Sequence, residues 1–404
     1  MIKNLKINIF DLNLIYILCG FPFMTTLYSN PSASICYRAI GILLPLICLI
    51  KTRFKLTIPN DLRFKTYLIL LILYSFSVGY TLFWGEYQSY HGSAKNLTLL
   101  FLIGIMWIPM LGYFSGIYKI HYSMIVCIIF FILLYTIGRG YLSISDQIAS
   151  TSGRFNLNDS QSTLTFGDKG IMLSIAAAAL LLPSKRHIKN VLWKLSLSFG
   201  LILGIMAAMK AGSRGPIISG LIAFLFLSSC TTKNIKRLLT LFFISLFLAG
   251  AATLKAIRDF APALYDRILM SILTGDSSGR DSIFADALSS GNFFTGGSPL
   301  IIIDEGFFGY HNIFITMAMG IGIIPTIIFI CLCLSLLYII IKNKKYYHTP
   351  GEYFIAALFI FYLFRGLTGV NFLSTNEFNL TLFMGCYLCS SSLSSSNCRA
   401  ISFD

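Results

Sequence analysis

The chain has 404 residues, of which 56% are hydrophobic and 12% charged, where soluble domains carry about 25% charged residues. Its mean hydropathy of +0.77 excludes an ordinary soluble enzyme or binding module. A formal charge of +15 would suit a nucleic-acid partner, but the placement of the basic residues gives it another meaning.

Crossing a bilayer takes about 20 apolar residues. Segments of that kind fall near 9–28, 34–50, 66–85, 97–118, 122–138, 170–183, 191–209, 215–230, 238–254, 312–341, 353–372 and 377–393. They predict an all-α polytopic membrane protein with about 12 transmembrane helices, a single integral membrane domain over 1–404. The first segment contains Asp11 and lacks a small-residue cleavage site, so it is expected to stay rather than act as a cleaved signal. Segments 170–183 and 215–230 are short, and 312–341 is long enough to tilt or to include an interfacial turn.

Basic residues favour the cytoplasmic side of a membrane. With the N-terminus inside, the inner connections are 51–65, 119–121, 183–190, 231–237 and 342–348, and each is basic. Together with the two termini, both expected in the cytoplasm, they hold more than half of the 31 Lys and Arg, and their only acids are Asp61 and Asp404. The positive charge is therefore a topology signal, and no nucleic-acid partner is required. The ten cysteines fall in spans or on the inner side. Cys331-x-Cys333 and Cys386-x-x-Cys389 sit in apolar sequence without His or acidic neighbours, which suits packing better than metal ligation.

On the outer side, residues 139–169 and 255–311 are too long for simple connections. They are expected to be periplasmic loops containing short helices, and long external loops on a rigid body are where sites are built. No fixed-period repeat and no matching pair of broken spans occurs, which argues against a secondary transporter.

Three places on that side put cations or His at a helix start. In GSRGP, Ser213 can cap a helix and Pro216 suits its first turn, so Arg214 stands at the N-terminus of the next span, with Lys210 just before it. In SSGRDSIFADAL, Ile283, Phe284, Ala287 and Leu288 share one helical face, which puts Arg280 at or next to the start. In GYHNIF, His311 and Asn312 precede the span at 312–341. Unpaired N–H groups and the helix dipole favour anions there, and the obvious anion is phosphate.

Singly, an Arg near an interface snorkels and a lone His is structural; their threefold coincidence favours a joint anion site. Arg38 and Arg365 lie within spans toward the outer side, where a cation is costly and raises a functional question. Arg154, in GRFNLND, is a further candidate for phosphate. The acids Asp276, Asp281, Asp304 and Glu305 show no glycosidase spacing. Neither GxxxxGK[ST] nor HExxH is present.

The Arg of GSRG at a span start, the Arg of SSGRDSIFADAL in a large outer loop and the HN that opens the next span resemble the shared pattern of bacterial O-antigen polymerases and O-antigen ligases. GRFNLND, at 153–159, also resembles this family. The resemblance implies a glycosyltransferase of the inner membrane, its active site facing the periplasm. Its donor and acceptor would be undecaprenyl-diphosphate-linked oligosaccharides, with no cofactor and no metal. It implies that Arg214 and Arg280 hold the donor diphosphate and that His311 orients or deprotonates the acceptor hydroxyl, with inversion at the anomeric carbon. Lys210, Arg154, Arg365, Arg38 and Asn312 are the expected substrate-binding residues. Membrane lipid surrounds the chain, and the family suggests a chain-length regulator as partner. The scarcity of cations between 281 and 310 favours polymerase over ligase, because a ligase acceptor carries core phosphates. A lipid-linked oligosaccharide flippase is the remaining alternative, although such a protein has little use for the 255–311 loop.

Overall fold

A computed structural model describes residues 7–27, 31–84, 107–142, 163–182, 191–211, 214–230, 280–299, 301–303, 306–308, 312–367 and 376–395. The helices are α1 (Ile9–Leu27), α2 (Pro31–Lys51), α3 (Leu62–Trp84), α4 (Ile108–Gly116), α5 (Tyr122–Leu142), α6 (Thr163–Leu181), α7 (Val191–Lys210), α8 (Arg214–Ser229), α9 (Arg280–Ser289), α10 (Asn292–Thr295), α11 (Ile313–Ile321), α12 (Ile323–Asn343), α13 (Pro350–Gly366) and α14 (Asn376–Ser395). The ninth expected span, 238–254, lies outside the described residues.

Among the described residues, three stretches, Leu62–Trp84, Val191–Met209 and Ile323–Tyr346, are long and apolar enough to cross a membrane. Their outward faces are as greasy as their inward ones. On α3, Phe64, Tyr67, Leu71, Tyr74 and Val78 are buried, while Ile69, Ile72, Phe76, Tyr80 and Phe83 on the opposite side are exposed. Such stripes are tolerated where the solvent is hydrocarbon. α13 is buried on every face, from Tyr353 to Leu363, which makes it a central helix. Cys331 faces outward and Cys333 inward, so this CxC pair points to two environments.

Lipid gives apolar helices no hydrophobic reason to associate, so close packing of small residues must do it. Gly170 of α6 and Gly204 of α7 face each other so tightly that a Cβ on Gly170 would lie 2.6 Å from the Gly204 carbonyl oxygen. Ser174 closes this crossing by donating to the Leu201 carbonyl at 2.8 Å.

The helix starts at one end are capped by side chains. Asn8 Oδ1 accepts from the Phe10 and Asp11 amides, while Asp11 Oδ2 accepts from the Asn8 amide. Asp61 accepts from the Arg63 and Phe64 amides. Thr349 and Glu352 form a reciprocal capping box ahead of Pro350. The basic connections meet at this same end. Asn8 Nδ2 donates to the Lys119 carbonyl at 2.7 Å, the Thr57 amide to the Phe114 carbonyl at 2.9 Å, and Lys344 Nζ to Ser229 Oγ at 3.0 Å.

Two expectations change. Of the tilt or turn open to the long segment 312–341, the structure has a turn: α11 and α12 fold back on each other at Gly322. The Phe314 and Phe329 rings lie 5.7 Å apart, whereas 15 residues of continuous helix would separate them by about 22 Å. Gly322 has φ 86° and ψ 169°, a conformation essentially restricted to glycine. The carbonyls left open at the end of α11 are taken up by the preceding loop: Gly297 donates to Gly320 at 3.1 Å and Ser298 to Met319 at 2.8 Å. Ser77 Oγ of α3 adds a bond to the Gly320 carbonyl at 2.5 Å. The second change concerns the outer loops. The region 255–311 contains the short helices α9 and α10, but also an antiparallel pair of three-residue strands, β1 (Ile301–Ile303) and β2 (Gly306–Phe308). The expected loop 139–169 is shorter than its sequence suggests, because α6 starts at Thr163 and includes Asp168 and Lys169.

Candidate functional site

Asp168 and Lys169 interrupt an apolar helix with two charges, and the fold neutralises both. Arg365, near the end of α13, is 1% exposed, and its Nε donates to Asp168 Oδ1 at 2.7 Å. Lys169 Nζ donates to Glu377 Oε1 of α14 at 2.7 Å and to the Leu18 carbonyl of α1 at 2.6 Å. Two acids and two bases thus join four helices inside the bundle. Their charges cancel, so this core supplies fixed geometry rather than net positive charge. Burying them is costly unless they are paired with good hydrogen bonds, which both pairs have.

The chain neighbours of these residues carry two of the expected helix starts. Gly167, beside Asp168, lies against the end of α7 and the first turn of α8: a Cβ there would meet Pro216 Cγ at 3.2 Å and Ala211 Cβ at 3.4 Å. Arg214 is the first residue of α8, two positions before Pro216. Gly366, beside Arg365, lies against the first turns of α11 and α14, where a Cβ would meet Ile313 Cγ2 at 3.0 Å and the Phe378 ring at 3.3 Å. Asn312 caps α11, its Oδ1 accepting from the Phe314 and Ile315 amides at 2.9 and 3.3 Å, while its Nδ2 reaches the Leu367 carbonyl at 3.5 Å. The start of α11 therefore lies beside the end of α13. Two of the amides at that N-terminus, Phe314 and Ile315, are already taken up by the Asn312 cap.

Of the residues the sequence singled out, Arg214 begins α8, Arg280 begins α9, and His311–Asn312 directly precedes α11. α9 joins the same neighbourhood through Ala287, two turns beyond Arg280, which packs with Met319 and Ile315 of α11. Lys210 ends α7, and Arg38 lies in α2. The side chains of Arg38, Lys210, Arg214 and Arg280, and all of Arg154 and His311, lie outside the described residues. Arg365 neither snorkels nor faces the aqueous side: it is an interior ion-pair partner. The acceptor of Asn312 is occupied by capping.

Sequence reasoning does not find Asp168, Lys169 and Glu377 as site elements. Asp168 and Lys169 read as loop because charge near the end of an apolar run normally marks its edge. The available signal is balance: three charges at the edges of apolar segments and Arg365 within one, with matching numbers of each sign. Among the described residues, no three His, Cys, Asp or Glu side chains gather in a metal-binding group. The chain matches no protein-family model and no curated protein, so the likeness to O-antigen polymerases and ligases rests on its own residues.

Proposed function

We propose that the chain is an O-antigen polymerase of the inner membrane, transferring a growing polysaccharide from undecaprenyl diphosphate to a lipid-linked repeat unit at the periplasmic face. The observation that carries this reading is the coincidence of helix starts with the expected anion ligands. Helices begin at Arg214 and Arg280 and directly after His311–Asn312. The first turn of α8 lies against Gly167 of α6 and that of α11 against Gly366 of α13, two helices joined by the Asp168–Arg365 pair.

In this reading the donor diphosphate lies against the N-termini of α8 and α9, with Arg214 and Arg280 as bidentate partners. The acceptor hydroxyl gives its proton to His311 as its oxygen attacks the anomeric carbon from the face opposite the diphosphate. A new glycosidic C–O bond forms, and the bond from the anomeric carbon to the diphosphate oxygen breaks. Undecaprenyl diphosphate departs with the electron pair, and the configuration inverts. Preorganised cations and helix N–H groups stabilise the charge that develops on the leaving group. A positioned base contributes about 10²–10⁴-fold.

A lipopolysaccharide gel from a strain lacking the gene tests the reading. Core carrying one repeat is the expected pattern, restored to a ladder by the wild-type gene but not by Arg280→Ala or His311→Ala. Bare core with accumulated lipid-linked polymer would indicate ligase chemistry instead, and an unchanged ladder would remove both.

A further inference from the structure

We propose that the Asp168–Arg365 pair is the positioning device of this site: it locks α6, against which the start of α8 lies, to the end of α13, against which the start of α11 lies. The inference rests on the glycosyl-transfer reading above, and names residues that neither touch the diphosphate nor exchange a proton in it.

Two observations carry it. First, α13 does not need the pair for burial. Its residues from Tyr353 to Leu363 are buried, and the hydrophobic effect that buries them is non-directional. A guanidinium–carboxylate contact of 2.7 Å is directional. Replacing a buried ion pair with apolar side chains is often neutral or stabilising, so bulk stability is a poor reason for keeping this one. Second, the glycine next to each partner lies against a helix start: Gly167 against Pro216 in the first turn of α8, and Gly366 against Ile313, the residue after Asn312. A shift of α6 relative to α13 therefore passes directly into the spacing between the α8 and α11 N-termini. The Lys169–Glu377 pair, with its bond to the Leu18 carbonyl, tethers α6 to α14 and α1 one residue further on.

The test uses full-length protein in nanodiscs and the double substitution Asp168→Leu with Arg365→Met, which leaves no unpaired charge. The expected result is a thermal midpoint equal to or above that of wild type, donor KM little changed and kcat lower by about 10²-fold, the cost of a small misplacement of reacting groups. Hydrogen exchange is expected to rise in 214–220 and 312–318, with the rest of the chain unaffected. Wild-type kcat with unchanged exchange would overturn the proposal. So would a lowered midpoint with exchange raised throughout, which would make the pair structural only. If wild-type protein transfers no sugar from a polyprenyl-diphosphate donor, the functional reading fails alone, and the exchange pattern still decides whether the pair positions the two helix starts.

Discussion

Replacing Gly322 by Ala tests the reversal between α11 and α12. Two costs add. At φ 86° and ψ 169° a non-glycine residue stores about 1–3 kcal/mol of backbone strain. The new Cβ would also lie 2.8 Å from the Phe294 carbonyl oxygen, a backbone atom that cannot swing away, and overpacking of this kind costs about 1–3 kcal/mol. The sum is about 2–6 kcal/mol, and with tenfold for each 1.4 kcal/mol the contact between the 291–299 loop and α11 should open at least about 30-fold more often. Two glycines in the same loop provide a graded control. Gly297 has φ 105° but nothing within 4 Å of where a Cβ would stand, so its Ala variant carries strain without collision. Gly291 has φ −57° and open space, so its Ala variant should be neutral. Hydrogen exchange of 291–299 and 313–321 in nanodiscs measures the series. The expected order of deprotection is Gly322→Ala, then Gly297→Ala, then Gly291→Ala at the wild-type level. Wild-type protection in Gly322→Ala would refute the reversal.

Three further outcomes follow from the geometry. Gly204→Ala inserts a methyl group into the α6–α7 crossing against the Gly170 carbonyl and Ser174 Oγ; a loss of about 1–3 kcal/mol is expected in detergent unfolding, with Gly291→Ala as the unaffected comparison. Arg365→Met alone strands the Asp168 carboxylate in the interior and should cost about 3–5 kcal/mol, so the single variant should unfold well below the double variant in the same assay. Burial pushes the Asp61 carboxyl pKa up, but the Arg63 side chain and the Arg63 and Phe64 amides more than offset this and hold it below its usual value. A depressed carboxylate adds stability above its unfolded pKa of about 3.9 and loses it as pH falls through the folded value. Asp61→Asn should therefore flatten the acid side of the thermal-stability profile below about pH 4, and an unchanged slope would count against the cap.

Most helices are legible in the sequence because apolar runs of bilayer length leave few alternatives. The starts at Arg214, Arg280 and Ile313 are legible for a local reason, since capping residues, Pro and helical spacing announce an N-terminus. The α11–α12 reversal is not, because hydropathy carries no direction: Gly320 and Gly322 in an apolar run look the same whether the helix continues or turns back. Asp168 and Lys169 read as loop because their partners, Arg365 and Glu377, are about 200 residues away in sequence, and nothing local signals that the charges are paired. The ribbon at 301–308 is hidden for another reason. Three residues per strand are too few to establish a period of two, and Ile301–Ile303 is apolar throughout.

The central claim is transfer from a lipid diphosphate, and its most direct measurement is elongation by purified protein. Nanodisc-reconstituted wild type, Arg280→Ala and His311→Ala would each be given an undecaprenyl-diphosphate-linked repeat unit as donor and acceptor, with products sized by gel and mass spectrometry. The account predicts a ladder of lengthened lipid-linked chains and stoichiometric undecaprenyl diphosphate from wild type, and neither from the two variants. A ladder of equal yield from His311→Ala and Arg280→Ala, or no lengthening by folded wild-type protein, would contradict it.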